Sequence, residues 1–372
     1  MKRLMLGILL SATLIGCSDN DATKSKQGAA DVNAGKALAE KECKGCHGLD
    51  GKGIAPGIPH LAAQWDSYLL LSLTEYKDGR RSHAALRDLA GRMTNADMRN
   101  VSGFYAGLPP IAAAANVPIF SPYENGKKVA ATCAQCHGAD GNSTIAGTPS
   151  LAGQQPRYFV TAVQEYLNGT RETSPMHALV RDMGKLDLDS AALYFASQTP
   201  AQRPPASFGD AKAGEVHSAL CGGCHGAHGV STDAATPGLA GQDPSYLVNA
   251  TKAYRKARKH DTMQRAVGSI SDKDIDDIAA FYTVQKSRPA ENGQTLLQDL
   301  TDKCNRCHAA SAANSTAVVP KINGQDKDYL IMALRAYRDE RRASTTMHKM
   351  SLPYSDSVIE SVASFYAGQP PK

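Results

Sequence analysis

Four times along this chain, two cysteines three residues apart are followed at once by a histidine. The runs are Cys43-Lys44-Gly45-Cys46-His47, Cys133-Ala134-Gln135-Cys136-His137, Cys221-Gly222-Gly223-Cys224-His225 and Cys304-Asn305-Arg306-Cys307-His308. This order is the attachment signal for a c-type haem. Residues i and i+3 share a helix face, so both thiols reach the two vinyl groups of one porphyrin. The adjacent histidine then turns its imidazole onto the iron as the proximal ligand. A lone C-x-x-C also serves zinc knuckles and thioredoxin-like redox pairs. Zinc sites normally combine two such units, and the redox motif needs a βαβ context that this pattern lacks. Nine cysteines are present and the ninth is Cys17, so none remains for a disulfide or a reactive thiol. The chain is therefore predicted to carry four covalent haem c groups, with His47, His137, His225 and His308 on the four irons.

The proximal histidines recur at intervals of 90, 88 and 83 residues, which signals repeated modules. Twelve residues after each stands a proline: Pro59, Pro149, Pro237 and Pro320. Leu61, Leu151, Leu239 and Ile322 come next, then Gln64, Gln154, Gln242 and Gln325, then Tyr68, Tyr158, Tyr246 and Tyr329. Each unit closes on an apolar helical pattern ending in Phe104-Tyr105, Tyr194-Phe195, Phe281-Tyr282 or Phe365-Tyr366. Prolines and alanine runs mark linkers around 108–115 and 200–205 and a shorter join at Arg288-Pro289. The modules are placed at 31–108, 120–199, 207–287 and 290–370. Domains of this size have small cores, and a covalent haem acts as an apolar nucleus and staple. Three main helices are expected in each: one before C-x-x-C-H, one around the Tyr-Leu stretch, and a terminal one.

In these residues the chain resembles the class I cytochrome c family, most closely the two-domain cytochrome c4 type, here with four modules in place of two. The shared pattern is C-x-x-C-H-G-x-D-G, then P-x-L-A-G-Q-x-x-x-Y, a distal methionine and a C-terminal helix. Module two fits it best, through Cys136-His137-Gly138-Ala139-Asp140-Gly141 and Pro149 to Gln154. Module four departs after His308, where Ala309 and Ala310 replace the glycine-rich turn. The resemblance implies an all-α fold of four tandem class I cytochrome c domains, each a few helices wrapped on a covalent haem. It also implies that the proline carbonyls accept the proximal imidazole N–H. Gly35, Gly126, Gly214 and Gly293 fall in the first helices, where the family uses a glycine for close helix crossing; a helix-start glycine is the plainer alternative.

An electron-transfer haem usually fills both axial sites, and a methionine opposite histidine raises its potential. Counting back nineteen residues from Phe195, Tyr282 and Tyr366 lands on Met176, Met263 and Met347. Met183, Met332 and Met350 read as core filler. In module one the same count from Tyr105 lands on Leu86, which cannot ligate iron. Three alternatives stay open for that haem: an open sixth position, His83 in a shifted loop, or Met93. Arg81, Arg171 and Arg342 stand five residues after Tyr76, Tyr166 and Tyr337, and Arg258 four after Tyr254. They suit haem propionates, with an exposed, solvated arginine as the alternative. His60, His177, His217, His228, His260 and His348 read as surface residues without a repeated register.

The N-terminus has the form of an export signal: Lys2 and Arg3, then a short apolar run from Leu4 to Ile15. The run ends in Leu14-Ile15-Gly16-Cys17, which resembles the bacterial lipobox. Residues 1–17 are read as a lipoprotein signal ending at a lipidated Cys17, and 18–30 as a flexible tether. An ordinary secretory signal with an incidental cysteine is the alternative. Ser18 follows the cysteine, which by analogy with enterobacterial sorting favours the outer membrane over the inner. The formal charge of +5 falls to +3 once Lys2 and Arg3 are removed, too weak a balance to argue for nucleic acid.

Four modules in series, tethered on the periplasmic side of a membrane, describe an electron carrier among redox proteins of a respiratory chain. The alternative is an enzyme or gas-binding protein using an exchangeable site on haem one, with the other haems as relay. No catalytic residue can be assigned for it, and an enzyme is the less favoured reading.

Overall fold

The computed structural model describes residues 29–113, 117–171, 175–290, 297–309 and 318–371. The export signal, Cys17, nearly all of the tether, Gly293 and Ala310 lie outside the described residues. Among the described residues the secondary structure is helical, apart from a single antiparallel bridge between Arg81 and Arg342. No helix there is long and apolar enough to cross a membrane.

Module one contains α1 (Val32–Glu42), α2 (Lys44–His47), α3 (Asp66–Lys77), α4 (Ala84–Arg92) and α5 (Asn95–Ala106). Module two repeats this order in α6 (Pro122–Ala130), α7 (Ala134–His137), α8 (Pro156–Leu167), α9 (Pro175–Val180) and α10 (Lys185–Ser197). Module three does so in α11 (Ala211–His217), α12 (Ala219–His225), α13 (Pro244–Ala253), α14 (Asp261–Val267) and α15 (Asp272–Thr283). Module four has α16 (Leu297–His308), α17 (Lys327–Arg338), α18 (Thr345–Ser351) and α19 (Asp356–Ala367). The three expected helices are present in each. The C-x-x-C-H residues add a helix of their own in modules one to three and end α16 in module four. A further short helix carries the Leu86 or methionine position. The sequence hid it because it spans barely two turns and shows little periodicity.

Local chemistry sets the ends. Asp31 and Asp210 accept backbone N–H groups at the starts of α1 and α11, and Thr94 and Asp97 close a capping box on α5. Proline opens α6, α8 and α13, where a missing N–H costs nothing. Each module keeps its own core, such as Leu69, Val101, Phe104 and Tyr105 in module one and Ile331, Ile359, Val362 and Tyr366 in module four. The first and last helices cross closely in the first three modules. A Cβ on Gly35, Gly126 or Gly214 would lie 2.1, 2.2 or 2.0 Å from a carbonyl oxygen of the crossing helix. This decides for close crossing at three of the four glycines.

The modules are not arranged in series. Module two packs on module three, where Arg258 donates to the Tyr158 hydroxyl at 3.2 Å. Module one packs on module four, where Arg342 donates to the Tyr68 hydroxyl at 2.7 Å. The start of module two meets the last helix of module four, with the Phe120 N–H on Ser364 Oγ at 3.0 Å. Helices α10 and α19 then join the two pairs through modules two and four. A repeat along the chain fixes the period and leaves open which copies touch.

Candidate haem sites

Each C-x-x-C-H run forms a helical turn, with the His47 N–H on the Cys43 carbonyl at 3.0 Å and the same bond from His137 to Cys133. The first cysteine of each pair is half-buried and the second is exposed. Burial, with Glu42 and Cys46 adding to it, pushes the Cys43 thiol up to about 11. Burial likewise raises Cys133, Cys221 and Cys304.

The four proximal histidines are held identically. Nδ1 of His47, His137, His225 and His308 lies 3.0, 2.8, 2.9 and 2.9 Å from the carbonyl oxygen of Pro59, Pro149, Pro237 and Pro320. A carbonyl only accepts, so Nδ1 carries the proton and Nε2 keeps its lone pair for iron. Burial lowers the pKa of all four, against the opposing carbonyl, and so favours the neutral imidazole a metal needs. Gly48, Gly138 and Gly226 take positive φ directly after the histidine. Ala309 instead ends α16 with its N–H on the Asn305 carbonyl at 3.2 Å.

Leu86, Met263 and Met347, the positions the sequence register singles out, occupy one place, the third residue of their short helices. Each backbone N–H is capped by the side chain three residues earlier: His83 at 3.3 Å, His260 at 3.3 Å and Ser344 at 3.2 Å. Met176 stands second in α9 and, like the others, is half-buried. His83 is thus a helix cap whose Nδ1 accepts the Leu86 N–H. While that bond stands, Nε2 carries the proton and neither nitrogen is free for iron. Met93 is buried at the end of α4, where its carbonyl accepts from Lys77 Nζ at 2.6 Å, and Met98 is core.

His83, read from sequence as a candidate ligand, and several histidines read as surface residues have repeated roles. His83 and His260 cap equivalent helices in modules one and three. His177 and His348 directly follow Met176 and Met347, and their Nδ1 atoms donate to the carbonyls of Tyr166 and Tyr337 at 2.7 and 2.9 Å. These roles alternate between modules, so the histidines show no fourfold register in the sequence. His60 is half-buried and accepts the Gly53 N–H at 3.1 Å. His217 and His228 are exposed as expected. Met332 is exposed on α17 beside Gly57 of module one, and so is no core residue.

The four arginines assigned to propionates are buried. Arg81 and Arg171 spend Nε on Glu75 and Glu165, both at 2.5 Å. Arg258 and Arg342 have buried Nε atoms with no hydrogen-bond partner. Each joint therefore buries two guanidinium groups against one carboxylate, with one orphaned donor. An uncompensated buried cation is costly, and an anionic group such as a haem propionate would relieve it. The residues fit the cofactor: paired thiols, a neutral imidazole with a free Nε2, and buried donors for a carboxylate. Such a set, repeated on four small helical modules, defines a multihaem c-type cytochrome.

The family model described as cytochrome c matches residues 32–108 and 123–185. A cytochrome c4 of Azotobacter vinelandii is 32% identical over 43% of this chain and 89% of its own length. A cytochrome c4 of Pseudomonas aeruginosa is 28% identical over 52% of this chain and 98% of its own. A protein of Thiomonas intermedia described as a thiosulfate dehydrogenase electron acceptor is 27% identical over 42% of this chain and 78% of its own. The chain belongs to the cytochrome c4-like class I c-type cytochromes. It carries four covalent haem c groups, and its chemistry is haem-based electron transfer.

Proposed function

We propose that this protein transfers electrons between redox proteins of a respiratory chain on the periplasmic side of a bacterial membrane, anchored by lipid on Cys17. The observation that carries the reading is the set of four equivalent proximal histidines, each bonded through Nδ1 to a proline carbonyl. Each haem, when bound, supplies a one-electron ferric–ferrous couple. The protein's residues do the rest. Met176, Met263 and Met347 are offered as distal ligands, which leaves no exchangeable site in modules two to four. The buried arginines hold the anionic edges, and the lipid raises the effective concentration beside membrane partners. The description of the Thiomonas relative as an electron acceptor supports a redox protein as the donor. In Cys17→Ala the haems should still assemble, while the protein leaves the membrane fraction and is reduced more slowly by membranes at equal concentration. Fractionation unchanged from the parent would refute the anchor.

A second reading follows from Leu86. With Leu86 in the ligand register and His83 engaged as a cap, a haem held by Cys43, Cys46 and His47 would gain no second side-chain ligand from these two residues. It would be open to a small ligand, with the other three haems as relay.

A further inference from the structure

The two joints between modules share one construction. Between modules two and three, Gln154 accepts the Gly238 N–H at 2.9 Å and donates to the Gly238 carbonyl at 3.2 Å. Reciprocally, Gln242 accepts from Ser150 at 2.7 Å and donates to its carbonyl at 2.9 Å. Modules one and four repeat this. Gln64 grips Lys321 at 2.9 Å on both sides, and Gln325 grips His60 at 2.6 and 2.9 Å. The flanking bonds repeat too, from the Gly147 N–H to Asp243 and from the Gly57 N–H to Asp326, both at 2.8 Å.

The gripped residue is the same in every case: the one directly after the proline whose carbonyl holds the proximal imidazole. Gln64 therefore fixes the Lys321 backbone, adjacent to the Pro320 carbonyl that accepts from His308. Gln325 does the same for His60, Pro59 and His47. Two hydrogen bonds to one residue fix the orientation of the neighbouring peptide. That orientation sets how strongly the carbonyl draws on Nδ1–H, and hence the basicity of the ligating Nε2.

We propose that each glutamine is a positioning residue for the haem of the module it grips, so that module one tunes haem four and module four tunes haem one. The redox-coupled units of this protein are then haem one with haem four, and haem two with haem three. The first unit is assembled from the two ends of the chain and encloses the second in sequence. Redox neighbours along the chain, such as haems one and two, belong to different units. The proposal rests on the reading of Met176, Met263 and Met347 as distal ligands, and its test separates the two.

The experiment uses the full chain, fully reduced, and follows the ε-methyl proton resonances of iron-bound methionines. First, Met176→His, Met263→His and Met347→His should each remove one resonance, which assigns the three. If no resonance disappears, the ligand reading fails by itself. Next, Gln64→Leu should shift the Met347 resonance and raise the potential of haem four, because a weaker bond to Nδ1–H leaves the imidazole a poorer donor. The Met176 resonance should stay in place. Gln154→Leu should instead shift Met263 and spare Met347. Should Gln64→Leu fail to fold, Gln64→Glu keeps the acceptor for the Lys321 N–H and loses the donor, and should give the same shift in smaller measure. A moved Met176 resonance with Met347 unmoved would overturn the proposal. So would no movement of Met347, or equal movement of Met347 in the Gln64 and Gln154 variants.

Discussion

The backbone N–H of Asp356, in the first turn of α19, donates to Oδ2 of Asp189 in α10 at 3.0 Å, and so joins the two pairs of modules. Both carboxylates are buried, and they are shifted in opposite directions. Burial raises Asp189, with the Asp356 N–H opposing. At Asp356 burial pushes upward but is outweighed by Lys185 at 2.8 Å and Arg338 at 2.8 Å, and its pKa falls to about 2.

The sign of the pH dependence follows. Asp356 is depressed on folding, so its contribution is complete above the ordinary carboxylate value and is lost as pH falls from about 4 to about 2. Asp189 takes up its proton at higher pH and leaves the ion pairs of Asp356 standing. Asp356→Asn should cost about 1–2 kcal/mol at pH 7, discounted because Lys185 is mostly exposed. Thermal unfolding of parent and variant from pH 7 to pH 2 should show a gap that closes at the acid end. A constant gap would contradict this account.

The crossing of α11 and α15 leaves no room at Gly214, where a Cβ would lie 2.0 Å from the Asp277 carbonyl oxygen. Gly214→Ala should therefore destabilise by about 2–3 kcal/mol, as backbones are forced apart. Gly91 lies within α4 with nothing within 4 Å of an added Cβ. Gly91→Ala should stabilise by about 0.5–1 kcal/mol through helix propensity. Denaturant titration compares the two, and equal effects would show that the crossing tolerates a methyl group.

Much of this site was legible because haem attachment needs fixed residue types at fixed spacing. Cys-x-x-Cys-His, the proline twelve residues on and the closing aromatic each answer to one local geometry, and the imidazole–proline bonds appear in all four modules. The repeated glutamines were visible, but their partners were not. Gln64 grips Lys321, a contact set by how modules fold back on one another, and four identical glutamines carry no label saying which copies pair. The caps at His83 and His260 were missed for a related reason. The short distal helices have too few turns to show a period, and their capping residue is histidine in only some modules.

The distal register predicts three like haems. Replacing Met176, Met263 or Met347 with histidine should lower one haem's potential, since imidazole favours ferric iron more than a thioether does. The methionine-to-iron charge-transfer band should lose about a third of its intensity in each variant. A variant that keeps the full band identifies a methionine that does not bind iron.

Haem one should stand apart. With Leu86 in the ligand position, the oxidised protein should show a minority high-spin signal, and carbon monoxide should bind about one haem in four. His83→Ala should leave both unchanged, because His83 caps α4 in place of ligating iron. If His83→Ala creates the high-spin signal, His83 is the ligand and the open-site reading falls.

Every one of the four C-x-x-C-H modules carries its own haem, and each haem is expected to take one electron. Mass spectrometry of the denatured protein, combined with anaerobic reductive titration of the same sample, tests it most directly. The expected result is four covalent haems per chain and the uptake of four electrons, one per iron. Three or fewer haems, or a haem that takes no electron, would contradict it.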